Sequence, residues 1–296
     1  MTELLQQLIN GLALGAIYAL IALGYTMVYG VLRFINFAHS DVFMVGSFAG
    51  YYLARLLPAG SALSGVFVLL GAMGICALLG VIIEKLAYRP LRGRSTLTVL
   101  ITAIGVSLLL QNLGQRVFGA NPRSFPALFP LHQFHIDGIV ISSAQIMVFV
   151  VAIVLLFLLR YIVLHTRIGT AMRALSFNQT AASLVGINND RVISFTFALG
   201  SALAAAGGIL YASNYPSIDP LMGTLPGMKA FVAAVLGGIG NIAGAAVGGL
   251  VLGLVETTVV GFGGSTYRDA VAFAVLILIL LLRPEGLLGK RVAEKV

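Results

Sequence analysis

Charge is what this sequence has least of. Only 9% of its 296 residues are Asp, Glu, Lys or Arg, where a soluble globular domain carries about 25%. With 59% of the residues apolar, too few charges remain to clothe a surface facing water. An ordinary soluble domain is thereby excluded, and lipid must cover much of the exterior. Cysteine is nearly absent. The single Cys76 excludes an intrachain disulfide, so no compartment can be read from it, and within its apolar run it reads as a small packed hydrophobe. No basic residue precedes Arg33. The basic start of a cleavable signal peptide is missing, and the first apolar run is expected to be a permanent span.

The motifs of catalysis are missing too. No Gly-x-x-x-x-Gly-Lys-Ser/Thr run exists to cradle ATP, and the residues after Gly238-Ile239-Gly240 miss the dinucleotide-binding spacing. His132 and His135 lie close together but have no carboxylate or thiolate nearby, and no His/Cys cluster has metal-ligand spacing. No Gly-x-Ser-x-Gly context is present. The chain is expected to hold no cofactor and no metal, and not to be an enzyme.

What is present is long apolar runs. A transmembrane helix needs roughly 20 mostly apolar residues, and residues 8–30, 42–57, 63–84, 97–118, 139–164, 192–211 and 270–282 are candidates. The run 228–262 is too long for one span. Its Gly237-Gly238-Ile239-Gly240-Asn241 cluster reads as a turn or a broken helix. The expected fold is an all-α polytopic membrane protein, one domain over residues 1–296, with eight or nine transmembrane helices and a short cytoplasmic coupling helix. No run alternates with period 2, which argues against a β-barrel, and no internal repeat is evident. Pairs such as Gly11/Gly15, Gly46/Gly50, Gly240/Gly244/Gly248 and Gly249/Gly253 are small-xxx-small faces for close helix packing and carry no message about substrate.

The net charge of +8 comes from basic residues in short loops, which fits the positive-inside rule rather than nucleic acid. Lys85, Arg89, Arg92 and Arg94 share one loop; Arg160, Arg167, Arg173 and Arg191 bracket a second; Arg283, Lys290, Arg291 and Lys295 lie in the tail. All three are expected in the cytoplasm. The loops 58–61, 120–137 and 215–226 are expected outside. Counting crossings between these anchors favours nine spans, with the N-terminus outside.

Ionisable residues inside a membrane default to function. Asn36, His39 and Asp41 cluster with Arg33 between the first two runs. Either Ser40 or Asp41 caps the next helix, or unwound backbone here lines a polar pathway. Glu256 is the one carboxylate placed deep in a span, as a pathway residue or as a satisfied contact within the bundle. Glu84 ends the third run and reads as structural. The segment 167–191 is expected to form a cytoplasmic helix with Ala171, Leu175, Asn178, Ala182 and Val185 on one face. Gly186 sits at its C-cap, and Asn188, Asn189 or Asp190 caps the next span.

Several stretches resemble one family along nearly the whole chain: Gly15-Ala16-Ile17-Tyr18-Ala19-Leu20 opening the run 15–30, Ile35-Asn36-Phe37-Ala38-His39, Ala87-Tyr88-Arg89-Pro90, Leu184-Val185-Gly186-Ile187-Asn188, Gly227-Met228-Lys229-Ala230-Phe231, and Ala234-Val235-Leu236-Gly237-Gly238-Ile239-Gly240. The sequence is similar to the LivH-type permeases of bacterial ABC importers for branched-chain amino acids. The resemblance implies a multi-pass inner-membrane permease working with a second, LivM-like permease chain or a second copy of itself. Two cytoplasmic ATPase subunits and a periplasmic binding protein would complete it. It further implies that Arg173, Ala174, Asn178, Ala181, Ala182, Gly186, Ile187 and Asn188 couple to the ATPase. Asn36, His39, Asp41 and Glu256 are expected on the translocation pathway from their own polar chemistry within apolar runs. Thr180 stands where many relatives carry Glu, and Ser40 where Gly is usual. Urea and short amides are alternative substrates in the same family. An ion-coupled transporter would need exchangeable buried carboxylates and an internal repeat.

Overall fold

A computed structural model describes residues 2–58, 61–130, 132–136 and 138–289. The expected cytoplasmic residues Lys290, Arg291 and Lys295 lie outside that set, as do parts of the loops 58–61 and 120–137. Eleven α-helices carry the described fold. They are α1 (Thr2–Leu32), α2 (His39–Ala54), α3 (Ala62–Ile83), α4 (Thr96–Phe118), α5 (Ser143–His165), α6 (Arg167–Phe177), α7 (Gln179–Leu184), α8 (Asn189–Asn214), α9 (Thr224–Gly237), α10 (Ile242–Gly261) and α11 (Arg268–Leu282). Seven of the helical segments are long and apolar enough to cross a membrane; α2 and α9 are shorter.

Helix ends follow local chemistry. Ser142 and Gln145 form a capping box at the start of α5, and Ser95 caps α4. Gly238 and Gly240 adopt φ of 103° and 93°, a conformation that suits glycine. They turn the chain so that Asn241 can cap α10, and the long run 228–262 becomes two helices as expected. At α2 the expected cap is not found. Ala38 holds the N-cap position with no side-chain bond, and the Ser40 hydroxyl donates back to the Phe37 carbonyl at 2.9 Å.

α1 runs down the centre and is buried along most of its length. Its glycines work as the spacing suggested. A Cβ on Gly15 would lie 2.7 Å from the Leu250 Cα, one on Gly249 would meet Ala19, and one on Gly253 would run into the Gly15 backbone. α1 and α10 are therefore antiparallel and nearly in backbone contact. Gly46 meets Ala205 and Gly50 meets Ile209 in the same manner, which seats α2 along α8. The periphery is apolar where it is exposed, as at Leu109, Phe157 and Leu281, as a lipid solvent requires.

Arg33, Arg92, Asp190 and the α6–α7 connector gather at one end of the bundle, which is its basic end. At the other end, β1 (Arg123–Ser124) pairs antiparallel with β4 (Ser217–Ile218), and β2 (Gln133–Ile136) with β3 (Ile139–Ser142). α1 arrives at the basic end. The chain then re-enters the bundle as residues 33–38, and α2 begins beside Gly24, where a Cβ would collide with the His39 ring. Gly24 precedes the end of α1 by two turns of helix, about 12 Å. α8 and α9 repeat this path upside down. α8 ends at the far end, the chain re-enters through residues 215–223, and α9 starts with Gly223 and Gly227 against Ser40. The first turns of α2 and α9 thus lie side by side within the bundle, and the two short helices run in opposite directions. With α3–α4 and α10–α11, the two halves form an inverted repeat of shape, which the sequence did not disclose.

Candidate functional site

The re-entrant segment 33–38 and the first turn of α2 collect the polar groups named from sequence. Asn36 is buried, and its Oδ1 accepts a hydrogen bond from the Tyr88 hydroxyl at 2.6 Å. His39 is buried against Tyr25, with ring centroids 4.6 Å apart, and its Nε2 lies 3.2 Å from the Ile21 carbonyl oxygen. A carbonyl can only accept, so the proton of the neutral ring sits on Nε2. Asp41 is buried. Gln111 donates to its Oδ1 at 3.0 Å, and Oδ2 has no hydrogen-bond partner among the described residues. The buried Thr26 hydroxyl is likewise unpartnered. The N-termini of two short helices converge here, each with the partial positive charge of a helix start. The gap between Tyr25, Tyr29, Ile35 and Phe231 amounts to about 10 Å³, close to the space of one water.

Glu256 belongs to a separate cluster. It pairs with Lys229 of α9 and accepts from Tyr18 at 2.8 Å and from Arg268 Nη2 at 3.2 Å, and Lys229 also meets Asp269. Two cations and two carboxylates balance. Between the two readings of Glu256, this geometry is that of a satisfied contact within the bundle. Lys229 was passed over in the sequence reading. The available signal was a lone lysine in an apolar helix, which a membrane interior tolerates only with a partner.

Glu84 is also fully enclosed. Arg89 and Arg92 pair with it, and the Ser194 hydroxyl donates to it at 2.6 Å. Asp190 joins through both arginines. This knot ties the end of α3 to the start of α8.

The segment 167–191 is two helices rather than one. Asn178 is extended, with φ −158°, and its side chain accepts from the Ala181 N–H at 2.9 Å. Asn prefers such a cap to a helix interior, so the single face expected through Asn178 is broken. Gly186 has φ 86° and Asn188 caps α8, as expected. Arg173, Asn178, Ala181, Gly186 and Asn188 are exposed, whereas Ala174 and Ile187 are half-buried. Ala182 is buried within the chain's own fold and so does not offer itself to a partner. Large apolar side chains do: Phe177, Leu184 and Val185 are 86%, 82% and 77% exposed.

Residues 7–280 match the family model described as branched-chain amino acid transport system / permease component. Over 300 residues the chain is 44% identical to the high-affinity branched-chain amino acid transport system permease protein BraD of Pseudomonas aeruginosa, covering 99% of this chain and 98% of the relative. It is 43% identical to the Escherichia coli permease protein LivH of the same description, covering 99% and 97%. The Escherichia coli ribose import permease protein RbsC is 34% identical over 128 residues, covering 41% of this chain and 40% of the relative.

Proposed function

This chain belongs to the family of branched-chain amino acid transport system permease components, and from that membership we propose how its geometry serves transport. It is a multi-pass permease subunit of an ABC transport system and not itself the ATPase, and it works in the bacterial inner membrane. Its cargo is a branched-chain amino acid. Its partners are a second permease chain, either a related one or a second copy, two cytoplasmic ATPase subunits and a periplasmic binding protein. The chain forms one domain with nine passages, two of them made by the short helices α2 and α9. The basic end faces the cytoplasm and the N-terminus faces outward.

The observation that carries this reading is the pair of half-helices. Irregular backbone at depth is tolerated where it lines a polar route, and converging helix N-termini suit the carboxylate of a passing amino acid. Asn36, His39 and Asp41 line that route. The α6–α7 connector receives the force of ATP binding, with Phe177, Leu184 and Val185 as the face that a cytoplasmic ATPase subunit covers. A ligand moves such a switch only through contacts that differ between its states. This face, exposed on one side and anchored on α8 on the other, can supply them.

The test is reconstitution of the permease pair with its ATPase and binding protein in liposomes. Leucine uptake that requires ATP inside, and that excess urea does not compete, is expected. Uptake driven by an ion gradient without ATP would overturn the reading.

A further inference from the structure

A cavity of about 150 Å³ opens at the basic end, lined by Arg33, Arg92 and Arg94 together with Tyr88, Thr96 and Gln179. Its charge does not cancel. The two carboxylates nearby, Glu84 and Asp190, are taken up by Arg89 and Arg92. Arg33 and Arg94 have no carboxylate partner among the described residues; Arg33 reaches only the Ser176 carbonyl, at 3.3 Å. The cavity is thus left with two uncompensated positive charges.

Two further features point the same way. Arg33 has φ 57°, and it is the one described non-glycine residue with positive φ. This conformation is costly for a residue with a long side chain, and such strain collects at functional sites. Thr96 is the first residue of the 23-residue helix α4, so the positive end of a long helix dipole opens onto the same space. Guanidinium forks and a helix N-terminus both favour tetrahedral oxyanions.

We propose that this cavity binds a phosphate group, carried by the headgroup of an anionic phospholipid. Leu97, the second residue of α4, is exposed beside it, so a headgroup held there keeps its acyl chains along the outer side of that helix. Basic pockets between spans on the cytoplasmic side are where anionic headgroups bind. The assignment to a leaflet rests on the proposed sidedness, whereas the binding itself does not and is measured without it.

The experiment is native mass spectrometry of the purified permease complex, titrated with phosphatidylglycerol or phosphatidylcholine. The wild type is compared with Arg33→Asn/Arg94→Gln, in which Asn tolerates the left-handed backbone. Phosphatidylglycerol binding is expected to weaken by about tenfold or more in the variant, with phosphatidylcholine unaffected. Arg33→Lys/Arg94→Lys is expected to recover part of it, since a lysine keeps charge but loses the fork. Inorganic phosphate is titrated in parallel. If it binds the wild type, not the variant, and displaces the lipid, the phosphate site stands and its source is soluble. Equal binding of both probes by wild type and variant overturns the proposal. So does a variant that binds lipid normally but sheds its ATPase subunits, which would make the cavity a protein contact. Should the double variant not fold, Arg94→Gln alone, on an exposed turn, carries the same comparison.

Discussion

Lys229 and Glu256 form an ion pair inside the bundle, with the carboxylate fully enclosed and the ammonium nearly so. Their helices, α9 and α10, face each other across the Gly237–Asn241 turn. Removing one partner of a buried pair leaves the other uncompensated, at a cost of about 3–5 kcal/mol. Lys229→Met is expected to fall at the lower end of that range, because Arg268 still reaches Glu256. Adding Glu256→Gln is expected to restore most of the loss. Thermal unfolding of the detergent-solubilised permease checks this; equal stability of Lys229→Met and wild type would show that the pair contributes nothing.

Asn36 and Tyr88 connect the re-entrant segment to the end of α3. Asn36→Leu is expected to reduce leucine uptake several-fold without loss of the assembled complex. Tyr88→Phe leaves the Asn36 carbonyl without its donor, a penalty of about 1–3 kcal/mol when buried, and is expected to lower thermal stability as well as uptake. Normal uptake by Asn36→Leu at equal expression would remove the segment from the pathway.

The exposed apolar face of α6–α7 gives a separation of effects. Leu184→Asp and Val185→Asp alter side chains that touch little of the permease, so the bundle is expected to stay folded while the ATPase subunit no longer co-purifies. Ala182→Arg forces a long charged side chain into a buried position and is expected to destabilise the permease itself, by several kcal/mol. A Leu184→Asp/Val185→Asp complex with full ATPase stoichiometry and normal stimulated turnover would exclude this docking face.

Sidedness can be read by labelling. In a Cys76→Ala background, a cysteine at the exposed Arg94 is expected to react with an impermeant maleimide only in inverted vesicles, and one at the exposed Ser217 only in right-side-out cells. The reverse pattern would invert the whole topology.

Periodicity and glycine spacing made much of this fold legible. The long spans, the Gly237–Asn241 turn and the Gly186 stop all follow from residue types with strong local preferences, and the glycine faces named close packing without naming which helices meet. The inverted repeat was hidden because the two halves share a path rather than a pattern. His39 and Thr224 open matching helices with different side chains. The break at Asn178 was missed because helical period was weighed above the tendency of Asn to cap. Ala181 and Ala182 both look suited to close packing, and Ala182 does pack closely, but within its own chain. Asn36, His39 and Asp41 are neighbours in sequence and lie on one segment of the fold, while Glu256 pairs elsewhere with Lys229, 27 residues away in sequence.

The half-helices also constrain how the protein is made. At 16 and 14 residues, α2 and α9 fall short of the roughly 20 apolar residues that partition stably into a bilayer. The polar backbone leading into each finds no partner in lipid. Each can settle only once a groove of longer helices exists to receive it. For α2 one wall of that groove is α8, with Gly46 against Ala205 and Gly208 against the Phe43 carbonyl, and α8 lies well over a hundred residues downstream. The early part of the chain therefore leaves the ribosome without its final seat. Closing so distant a contact is slow, and until α8 is inserted the segment from Arg33 to Ala54 must wait at the membrane surface or in the care of the insertion machinery.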